Sequence, residues 1–338
     1  MSFRAETAVV ILNHNGRTFL KECLDSVFAQ DNGDFFVVLV DNASSDGSVD
    51  FVRSEYVEKE KSGRLKIVAE DVNQGFSCGN NIGIREALKD ETVKYVITLN
   101  NDTVLEGGFI RELVQCAERH PDAGSIMSKM VCYSDPGLID SAGILYSRNT
   151  LPFARGKFEP ADNYNTEEEI FGACAGACLY RVEALKDVAA DGEFFDEYFF
   201  AYCEDVDLSF RLRWASWPCY YCPQAVVRHH GGGTKGETSS FVIYHSLRNN
   251  SLVMFKNLTR GFILRNLFWI VISEILQPVF NLIFRRKMIV LKAKFDALGR
   301  FRAMRAKACG MKRSVNFGSI EKFFVMKWVV SRSALNGS

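Results

Sequence analysis

A carboxylate follows a strand-like apolar run about a third of the way along the chain. Residues 95–99 (Tyr-Val-Ile-Thr-Leu) predict a buried strand, and Asn100, Asn101 and Asp102 follow it without a spacer. Ligands of open α/β sheets bind at the carboxyl ends of the strands, so Asp102 is placed where a divalent cation and a phosphorylated ligand could meet. The alternative interpretation is an ordinary Asn/Asp turn at a strand end.

Two further groups of polar residues have types suited to chemistry. Glu204, Asp205 and Asp207 lie in an aromatic-rich stretch, and His229 and His230 precede three glycines. For the acids, the alternative is a first helical turn in which negative charge complements the helix dipole. For the histidines, it is a polar strand end before a glycine loop. The elements that position these side chains must decide between the interpretations.

The first hundred residues alternate between strand-like and helical patterns. Residues 8–12, 35–40, 65–68 and 95–99 are apolar runs, and apolar residues at helical spacing lie between them. This alternation predicts a parallel, doubly wound sheet with right-handed crossovers, which is a Rossmann-like nucleotide-binding half.

The pattern after Asp102 predicts an extension of this sheet. A helix over 109–118 and a short strand over 124–127 are expected to complete it, and residues 130–170 to form loops and hairpins over the crevice. Residues 171–180 are small and apolar and predict a strand to which backbone or ligand can come close.

Neither a GxGxxG sequence after the first strand nor a GxxxxGK[ST] sequence occurs, so no dinucleotide fingerprint or P-loop accounts for the sheet. Amide and carboxylate side chains follow the strands instead. They offer hydrogen bonds to a base and a ribose, with a metal ion at the diphosphate. These residues are Asn13, Asp41, Asn42, Asn73 and Asp102.

Five strings occur in an order and spacing that resemble the family 2 glycosyltransferases with the A-type nucleotide-sugar fold, especially their rhamnosyltransferase-like branch. They are VDNASSDGS, NQGFSCGNNIG, TLNNDT, FFDEYFFAYCEDVDLSFR and YYCPQAVVRHHGGGT. The resemblance runs from about Ala8 to Phe255. It implies an α/β fold: a Rossmann-like nucleotide-sugar-binding sheet with a mixed extension, followed by a C-terminal helical segment.

The resemblance also implies roles for individual residues. Asp205 is the general base with Glu204 beside it, Asp41 contacts the base of the nucleotide, and Asp102 binds Mg²⁺ or Mn²⁺. His229, or otherwise His230, completes the metal shell. The usual Asp-x-Asp metal motif has Asn100 in place of its first acid, so weaker metal binding is expected. The implied nucleotide-sugar-binding residues are Asn13, Asp41, Asn42, Asn73, Gly75, Phe76, Asn80, Asn101 and Asp102.

The implied reaction is inverting, metal-dependent transfer of a sugar from a nucleoside-diphosphate sugar to a saccharide or lipid-linked saccharide in cell-surface polysaccharide synthesis. A thymidine-diphosphate deoxyhexose such as rhamnose is the favoured donor over a uridine-diphosphate hexose. One base suffices for inversion. The alternatives are a nucleotidylyltransferase and a non-catalytic, membrane-associated scaffold with a degenerate fold. Asp102 is expected to be exposed in the crevice, and Glu204 to pair with Arg211 or Arg213.

The C-terminal segment differs in charge from the rest of this neutral, 338-residue chain. From Arg260 onward there are 16 Lys and Arg residues against three acids. We therefore divide the chain into a catalytic domain, 1–258, and a basic, amphipathic helical segment, 259–338. The apolar part of this segment, 262–284, is interrupted by charges and by Pro278, so a transmembrane span is not expected.

Two partners suit this segment. In the predicted helix the polar residues Asn266, Ser273, Gln277 and Asn281 share one face, which leaves a wide apolar remainder. This pattern and the excess of basic residues predict peripheral binding to an anionic membrane at its cytosolic face. The alternative is a helical hairpin that packs on the body or forms a homo-oligomer. Nucleic acid is not expected, because aromatic and basic residues do not interleave.

Ten cysteines are scattered through the chain, mostly within apolar runs. The chain begins without the apolar core of a signal peptide, so a cytoplasmic location is expected. In that compartment such cysteines are expected to be small buried hydrophobic residues. Only Cys219 and Cys222 have metal-ligand spacing. A structural zinc ion is not expected there because no second pair accompanies them.

Overall fold

The computed structural model describes residues 5–31, 34–231, 239–283 and 288–326. Its strands are β1 (Thr7–Asn13), β2 (Phe35–Asn42), β3 (Leu65–Glu70), β4 (Tyr95–Asn100), β5 (Thr103–Leu105), β6 (Ser125–Cys132), β7 (Ile139–Ser141), β8 (Ile144–Tyr146), β9 (Pro152–Ala154), β10 (Glu168–Ile170), β11 (Ala177–Arg181) and β12 (Cys219–His229).

The helices alternate with the strands in the first half and dominate after β12. They are α1 (Arg17–Phe28), α2 (Ser48–Glu55), α3 (Val57–Lys61), α4 (Gly75–Ala87), α5 (Phe109–Arg119), α6 (Val182–Val188), α7 (Glu204–Trp214), α8 (Ser240–Asn257), α9 (Arg260–Arg265), α10 (Leu267–Ile283), α11 (Ile289–Gly299), α12 (Phe301–Gly310) and α13 (Gly318–Glu321). Within the described ranges, no helix is long and apolar enough to cross a membrane.

One large mixed sheet, in the order β10-β12-β6-β11-β4-β1-β2-β3, forms the centre of the molecule. Strands β3, β2, β1 and β4 are parallel, which confirms the predicted Rossmann-like half. The register pairs Asn13 with Asp41, and Leu12 with Asn100. The polar residues at the ends of β1, β2 and β4 therefore lie at one edge of the sheet.

The extension of the sheet differs in detail from the prediction. The short strand expected over 124–127 continues to Cys132 because β12 and β7 pair with it. The small-residue strand expected over 171–180 is regular only from Ala177. Before it, Gly172 lies against α7, where an added Cβ would be 2.2 Å from the hydroxyl oxygen of Ser209. The small residues of this stretch thus let a helix approach the backbone.

The segment after residue 258 shares a hydrophobic core with the body. Phe262 of α9 and Phe324 pack in one buried cluster with Tyr146, Phe171 and Phe210. The ring centroids of Phe324 and Tyr146 lie 5.0 Å apart, and those of Phe324 and Phe262 5.4 Å. Removing the segment would therefore expose the aromatic core beneath α7.

Candidate active site

The polar residues at the strand ends form a connected network. The side-chain amide of Asn13 donates to the Oδ1 atom of Asp41 at 2.7 Å, and its Oδ1 atom accepts from the amide of Asn101 at 2.7 Å. The Oδ2 atom of Asp41 accepts from the backbone N–H of Ser44 at 2.9 Å. Gly16 allows this close approach, since an added Cβ would be 1.9 Å from the amide nitrogen of Asn101. Three predicted nucleotide-binding residues are thus in contact.

Asn42 connects this network to the start of α4. Its side-chain amide donates to the Oδ1 atom of Asn73 and to the carbonyl oxygen of Gly75, both at 3.0 Å. Gly75 has φ +84°, and an added Cβ would lie 2.5 Å from the carbonyl oxygen of Phe200. The conformation and the close contact both require glycine here. Asn42, Asn73 and Gly75 thus form one loop beside the crevice.

Phe76 and Asn80, the two other residues of α4 that were predicted to bind the nucleotide sugar, both make contacts within the protein. The ring of Phe76 meets that of Phe195 edge-on at 6.4 Å. Asn80 is buried, and its amide donates to the carbonyl oxygen of Phe76 at 2.9 Å. The next residue, Asn81, exchanges two hydrogen bonds of 2.8 Å with the backbone of Phe195. Asn81 therefore fixes the stretch that leads to the acidic group.

Asp102 and His229 approach each other because β5 pairs with the end of β12. The Oδ1 atom of Asp102 lies 3.2 Å from the Nε2 atom of His229. Together they offer one oxygen and one nitrogen to a metal ion. The side chain of Asp102 is only 11% exposed, so the expectation of an exposed carboxylate is wrong. His229 covers it.

A second carboxylate, which the sequence did not reveal, orients His229. The Nδ1 atom of His229 lies 2.8 Å from the Oδ2 atom of Asp140, and Lys157 donates to the Oδ1 atom of Asp140 at 2.5 Å. Burial lowers the pKa of His229, but the hydrogen bonds and charges of Asp102 and Asp140 outweigh it and raise that pKa to about 9. Without a metal ion, the imidazole is a cation held between two carboxylates.

The other residues of the predicted metal site, His230 and Asn100, lie near Asp102, but their side chains are oriented differently from that of His229. The imidazole of His230 stacks on Tyr133 at 3.6 Å, and its Nε2 atom lies 3.4 Å from the carboxylate of Glu22. Its backbone N–H donates to the carbonyl oxygen of Asp102. The amide of Asn100 lies 3.5 Å from the Nε2 atom of His229. Of the two histidines, His229 is the one whose ring meets Asp102.

The loop before α7 has an unusual backbone. Phe200, Tyr202 and Cys203 all have positive φ, between 63° and 71°, a conformation that is costly for residues with side chains. Asn249 of α8 holds the loop: its amide lies 2.7–2.8 Å from the carbonyl oxygens of Phe199, Ala201 and Tyr202. Asn249 therefore holds the backbone that leads into α7.

The acid pair follows directly after this loop. The Oδ2 atom of Asp205 accepts from the backbone N–H of Ala175 at 3.3 Å, and the Oδ1 atom from that of Val206 at 2.8 Å. The neighbouring Gly176 accepts from the N–H of Asn100 at 2.8 Å. Through the backbone of residues 175 and 176, Asp205 is thus connected to the end of β4. Asp205 is half-buried, and no cation among the described residues forms an ion pair with it.

Glu204 is buried, and its Oε2 atom has no hydrogen-bond partner in the described structure. Burial and the charge of Asp205 raise the pKa of Glu204 well above its ordinary value. Burial also raises the pKa of Asp205, opposed by the N–H groups of Ala175 and Val206. Backbone N–H groups hold the carboxylate of Asp205, whereas that of Glu204 has an oxygen without a partner among the described residues, so this arrangement favours the charge on Asp205 and the proton on Glu204.

The expected ion pair between Glu204 and an arginine of α7 is wrong, because both arginines have other partners. Arg211 pairs with Asp207 at 2.9 Å, and Arg213 pairs with Glu169. Asp207 is fully buried and also accepts from Lys256 at 2.8 Å. The third acid of the group thus holds α7 against α8 and does not face the crevice.

Comparison with known proteins gives the family of this chain. The profile of the family described as Glycosyl transferase family 2 matches residues 8–189, more than half of the chain. This chain belongs to glycosyl transferase family 2. It is 28% identical over 247 residues to the N-acetylglucosaminyl-diphospho-decaprenol L-rhamnosyltransferase of Mycobacterium tuberculosis, an overlap that covers 68% of this chain and 77% of that protein.

Solved structures share the fold at low identity. The mannosyltransferase PcManGT from Pyrobaculum calidifontis, in complex with GDP-Man and Mn²⁺, has a TM-score of 0.53 and 15% identity, and covers 90% of this chain and 84% of its own. S. aureus TarS in complex with UDP-GlcNAc has a TM-score of 0.54 and 17% identity, and covers 88% and 81%. The predicted A-type glycosyltransferase fold and the rhamnosyltransferase-like resemblance are confirmed.

As a member of glycosyl transferase family 2, the protein is a glycosyltransferase and its reaction is sugar transfer. The nucleotidylyltransferase interpretation loses its basis. Such an enzyme normally carries a basic, glycine-rich loop after the first strand. Here residues 13–17 contain a single Lys or Arg residue, Arg17. Its guanidinium lies 3.4 Å from the ring centre of Phe51.

Proposed function

We propose that this glycosyltransferase is inverting and metal-dependent, and that it moves rhamnose or a related hexose from a nucleoside-diphosphate sugar to a saccharide or lipid-linked saccharide. The observation that carries the proposal is a pair of separate polar centres at one sheet edge. One is Asp102 with His229, and the other is the half-buried carboxylate of Asp205, which has no cationic partner within the described ranges.

The residues at the strand ends suit the donor. Asn13, Asp41, Asn42 and Asn73 present amide and carboxylate groups to the nucleoside, with Asp41 accepting from an N–H of the base. Their mutual hydrogen bonds hold them in place before the donor arrives, which reduces the ordering cost of binding. Asp41 can accept from thymine or uracil alike. The preference for a thymidine-diphosphate donor thus rests on likeness to the rhamnosyltransferase branch.

The oxygen of Asp102 and the nitrogen of His229 fit Mg²⁺ or Mn²⁺, since carboxylate and imidazole are accepted ligands of Mn²⁺ and Mg²⁺ binds through one or two carboxylates. When bound, the ion supplies charge neutralisation at the diphosphate leaving group. Asp140 holds the imidazole with its Nε2 atom toward Asp102. The PcManGT structure, which shares this fold, contains Mn²⁺ together with GDP-Man, which supports the use of a divalent ion.

Asp205 is the general base for the acceptor hydroxyl. Its proton-free state is favoured over that of Glu204, and its backbone hydrogen bonds fix the direction of its carboxylate. Oxygen of the acceptor then attacks the anomeric carbon on the face opposite the diphosphate, and the carbon–oxygen bond to the diphosphate breaks. A single base on one side of the sugar gives inversion in one step.

The test is a donor panel assayed for nucleoside diphosphate release. Thymidine-diphosphate and uridine-diphosphate sugars are incubated with Mg²⁺ or Mn²⁺ and a lipid-linked N-acetylglucosamine acceptor, the acceptor that the name of the M. tuberculosis relative suggests. We expect diphosphate release, most with thymidine-diphosphate rhamnose, and a product whose anomeric configuration by NMR is opposite to that of the donor. Retention would refute the single-base mechanism, and release of pyrophosphate would refute sugar transfer.

We further propose that the C-terminal helices bind an anionic membrane at its cytosolic face. The predicted polar stripe of α10 faces inward: Ser273 donates to the carbonyl oxygen of Asn149 at 2.8 Å, and Asn266 and Asn281 are buried. The side chain of Gln277 lies outside the described part. The apolar face therefore points outward, the reverse of a helix that packs its apolar side into a core.

The outward apolar surface continues over three helices. It comprises Leu267, Phe268, Trp269, Val271, Ile275, Leu276, Val279 and Ile283 of α10, Leu291, Phe295 and Leu298 of α11, and Phe301 of α12, each more than a third exposed. An exposed apolar surface of this extent marks an interaction site.

Charge contributes less to this surface than the sequence predicts. Lys294 pairs with Glu274 at 2.6 Å, Lys307 with Asp196 at 2.6 Å, and Arg305 donates to the carbonyl oxygen of Phe255. Residues 285–287 (Arg-Arg-Lys) lie outside the described residues. We therefore expect membrane binding that depends on lipid charge but survives salt better than a purely electrostatic contact.

Flotation of the full chain with anionic and neutral vesicles tests this proposal. Phe268→Ser with Phe295→Ser should abolish flotation, and Val72→Ser, an equally exposed apolar residue on the body, should not. Truncation is unsuitable because the segment carries part of the aromatic core. If the full chain never floats and the double variant instead lowers its mass in solution, the surface joins two copies of the chain and the membrane proposal is wrong.

A further inference from the structure

Three side chains that can bind a zinc ion meet at the C-terminal end of α5. Cys116 lies in the last turn of this helix, and His120, four residues further on, is its C-cap residue. Glu167 lies just before β10. One ligand atom from each of the three lies within 4.8 Å of the others. The Nε2 atom of His120 is 2.8 Å from the Oε1 atom of Glu167.

A second thiol lies beside the group. Cys222 neighbours Cys116, and both cysteines are buried and reduced. The Sγ atom of Cys222 also lies 3.6 Å from the carbonyl oxygen of Glu112 and 3.8 Å from the Oε1 atom of Gln224. Cys219, the other half of the Cys-x-x-Cys sequence, is directed elsewhere, toward Ser125.

We propose that Cys116, His120, Glu167 and Cys222 form a structural Zn²⁺ site. Two thiolates, one imidazole and one carboxylate are a four-ligand set of the kind that structural zinc sites use. Zinc–ligand bonds of about 2.0–2.3 Å place tetrahedral ligand atoms roughly 3.3–3.8 Å apart. The ligand atoms of Cys116, His120 and Glu167 need only small shifts to reach this spacing, and the thiol of Cys222, which lies outside that group of three, must rotate toward it.

The surroundings supply what such a site needs. Two thiolates and a carboxylate carry three negative charges, one more than Zn²⁺ neutralises. The guanidinium of Arg119, which lies 2.5 Å from the Oε2 atom of Glu167, balances the remaining negative charge. The ring of Tyr220 stacks on His120 at 3.7 Å and fixes its plane. Orientation of ligands by such outer partners is typical of metal sites.

The site is separate from the proposed catalytic centre. Cys222 pairs with Ser128 of β6, and His229 pairs with Cys132, four residues further along that strand. Four residues of a strand span about 13 Å. The ion would join α5 and β12 to the residue before the short edge strand β10, so its role is to fasten that edge of the sheet.

The experiment uses the reduced full chain, stripped of metal with a chelator and titrated with Co²⁺ and then Zn²⁺. We expect one Co²⁺ per chain with a thiolate-to-cobalt charge-transfer band, which Zn²⁺ displaces. Asp102 and His229 offer no thiolate, so Asp102→Ala should keep the band. Zn²⁺ should also raise the unfolding temperature of the wild type.

The variants separate the ligands from their neighbours. Cys116→Ala and Cys222→Ala should abolish or strongly weaken the band. His120→Ala should weaken binding by about 100-fold or more, since loss of an outer partner alone costs 10–100-fold. Cys219→Ala, a buried cysteine on the same strand, is the matched control and should bind normally. The proposal is overturned if no thiolate band appears, if Cys219→Ala removes it, or if Cys116 and Cys222 prove to form a disulfide.

Discussion

The pH dependence of metal binding offers a sharp test of the Asp102 and His229 pair. In the metal-free protein the pKa of His229 is raised to about 9, so at pH 7 only about 1% of its Nε2 atoms are free of a proton. A metal ion must displace that proton. The apparent affinity for Mn²⁺ should therefore rise about tenfold per pH unit from pH 7 to 9 and level off above it.

Asp140→Asn provides the perturbation. It removes one of the two carboxylates that raise the pKa of His229. The apparent affinity for Mn²⁺ should therefore stop rising with pH at a lower pH than in the wild type. Mn²⁺ titration followed by electron paramagnetic resonance at pH 7, 8 and 9 measures both curves. An affinity that is constant over this range in the wild type would refute the reasoning, because it would mean that no proton leaves when the ion binds.

The same pKa predicts how the metal-free fold responds to pH. A pKa raised from 6.5 to about 9 on folding stabilises the protein fully below pH 6.5, and this contribution is lost as the pH rises through 9. It amounts to about 3 kcal/mol. Urea unfolding of metal-free protein should show the loss, and His229→Gln should remove the pH dependence over this range. A wild-type stability that is constant from pH 6.5 to 9 would contradict the assignment.

Three further predictions concern the residues that hold the site. Asn249→Ala removes the side-chain donor of the carbonyl groups of Ala201 and Tyr202 before α7, so kcat should fall about tenfold or more and the free energy of unfolding by about 2–3 kcal/mol; an unchanged kcat would show that the loop does not need this side chain. Lys256→Met leaves the buried Asp207 short of a cation and should cost about 3 kcal/mol by urea unfolding, whereas a cost below about 1 kcal/mol would count against this role. Gly75→Ala forces a Cβ onto the carbonyl of Phe200 and should lower donor affinity in calorimetry; normal binding would show that the loop adjusts freely.

The sequence predicted the parallel half of the sheet and its polar edge well, for a physical reason. Alternating strands and helices permit few topologies, and parallel strands bring their carboxyl ends to one edge. Asn13, Asp41 and Asn101 were therefore expected together, and their hydrogen bonds join them. The antiparallel β11 between two parallel strands left no such pattern in the sequence.

What the sequence did not reveal depends on contacts between distant segments. Asp140 lies in an irregular region, and only the fold brings it to His229. Glu204 was expected to pair with a cation, but Arg211 and Arg213 pair with other acids, and the pKa of the buried Glu204 is raised. The periodicity of α10 defined a polar stripe correctly but not the direction in which it faces, because that depends on what packs beneath it.

We assign the charge of the acid pair, and with it the role of catalytic base, to Asp205. The most direct measurement compares kcat at saturating donor for Asp205→Asn and Glu204→Gln. We predict that Asp205→Asn lowers kcat by about 10² to 10⁴ with donor affinity nearly unchanged, and that Glu204→Gln, which replaces one neutral group by another, has the smaller effect. Near-normal turnover by Asp205→Asn, or a larger loss in Glu204→Gln, would contradict the assignment.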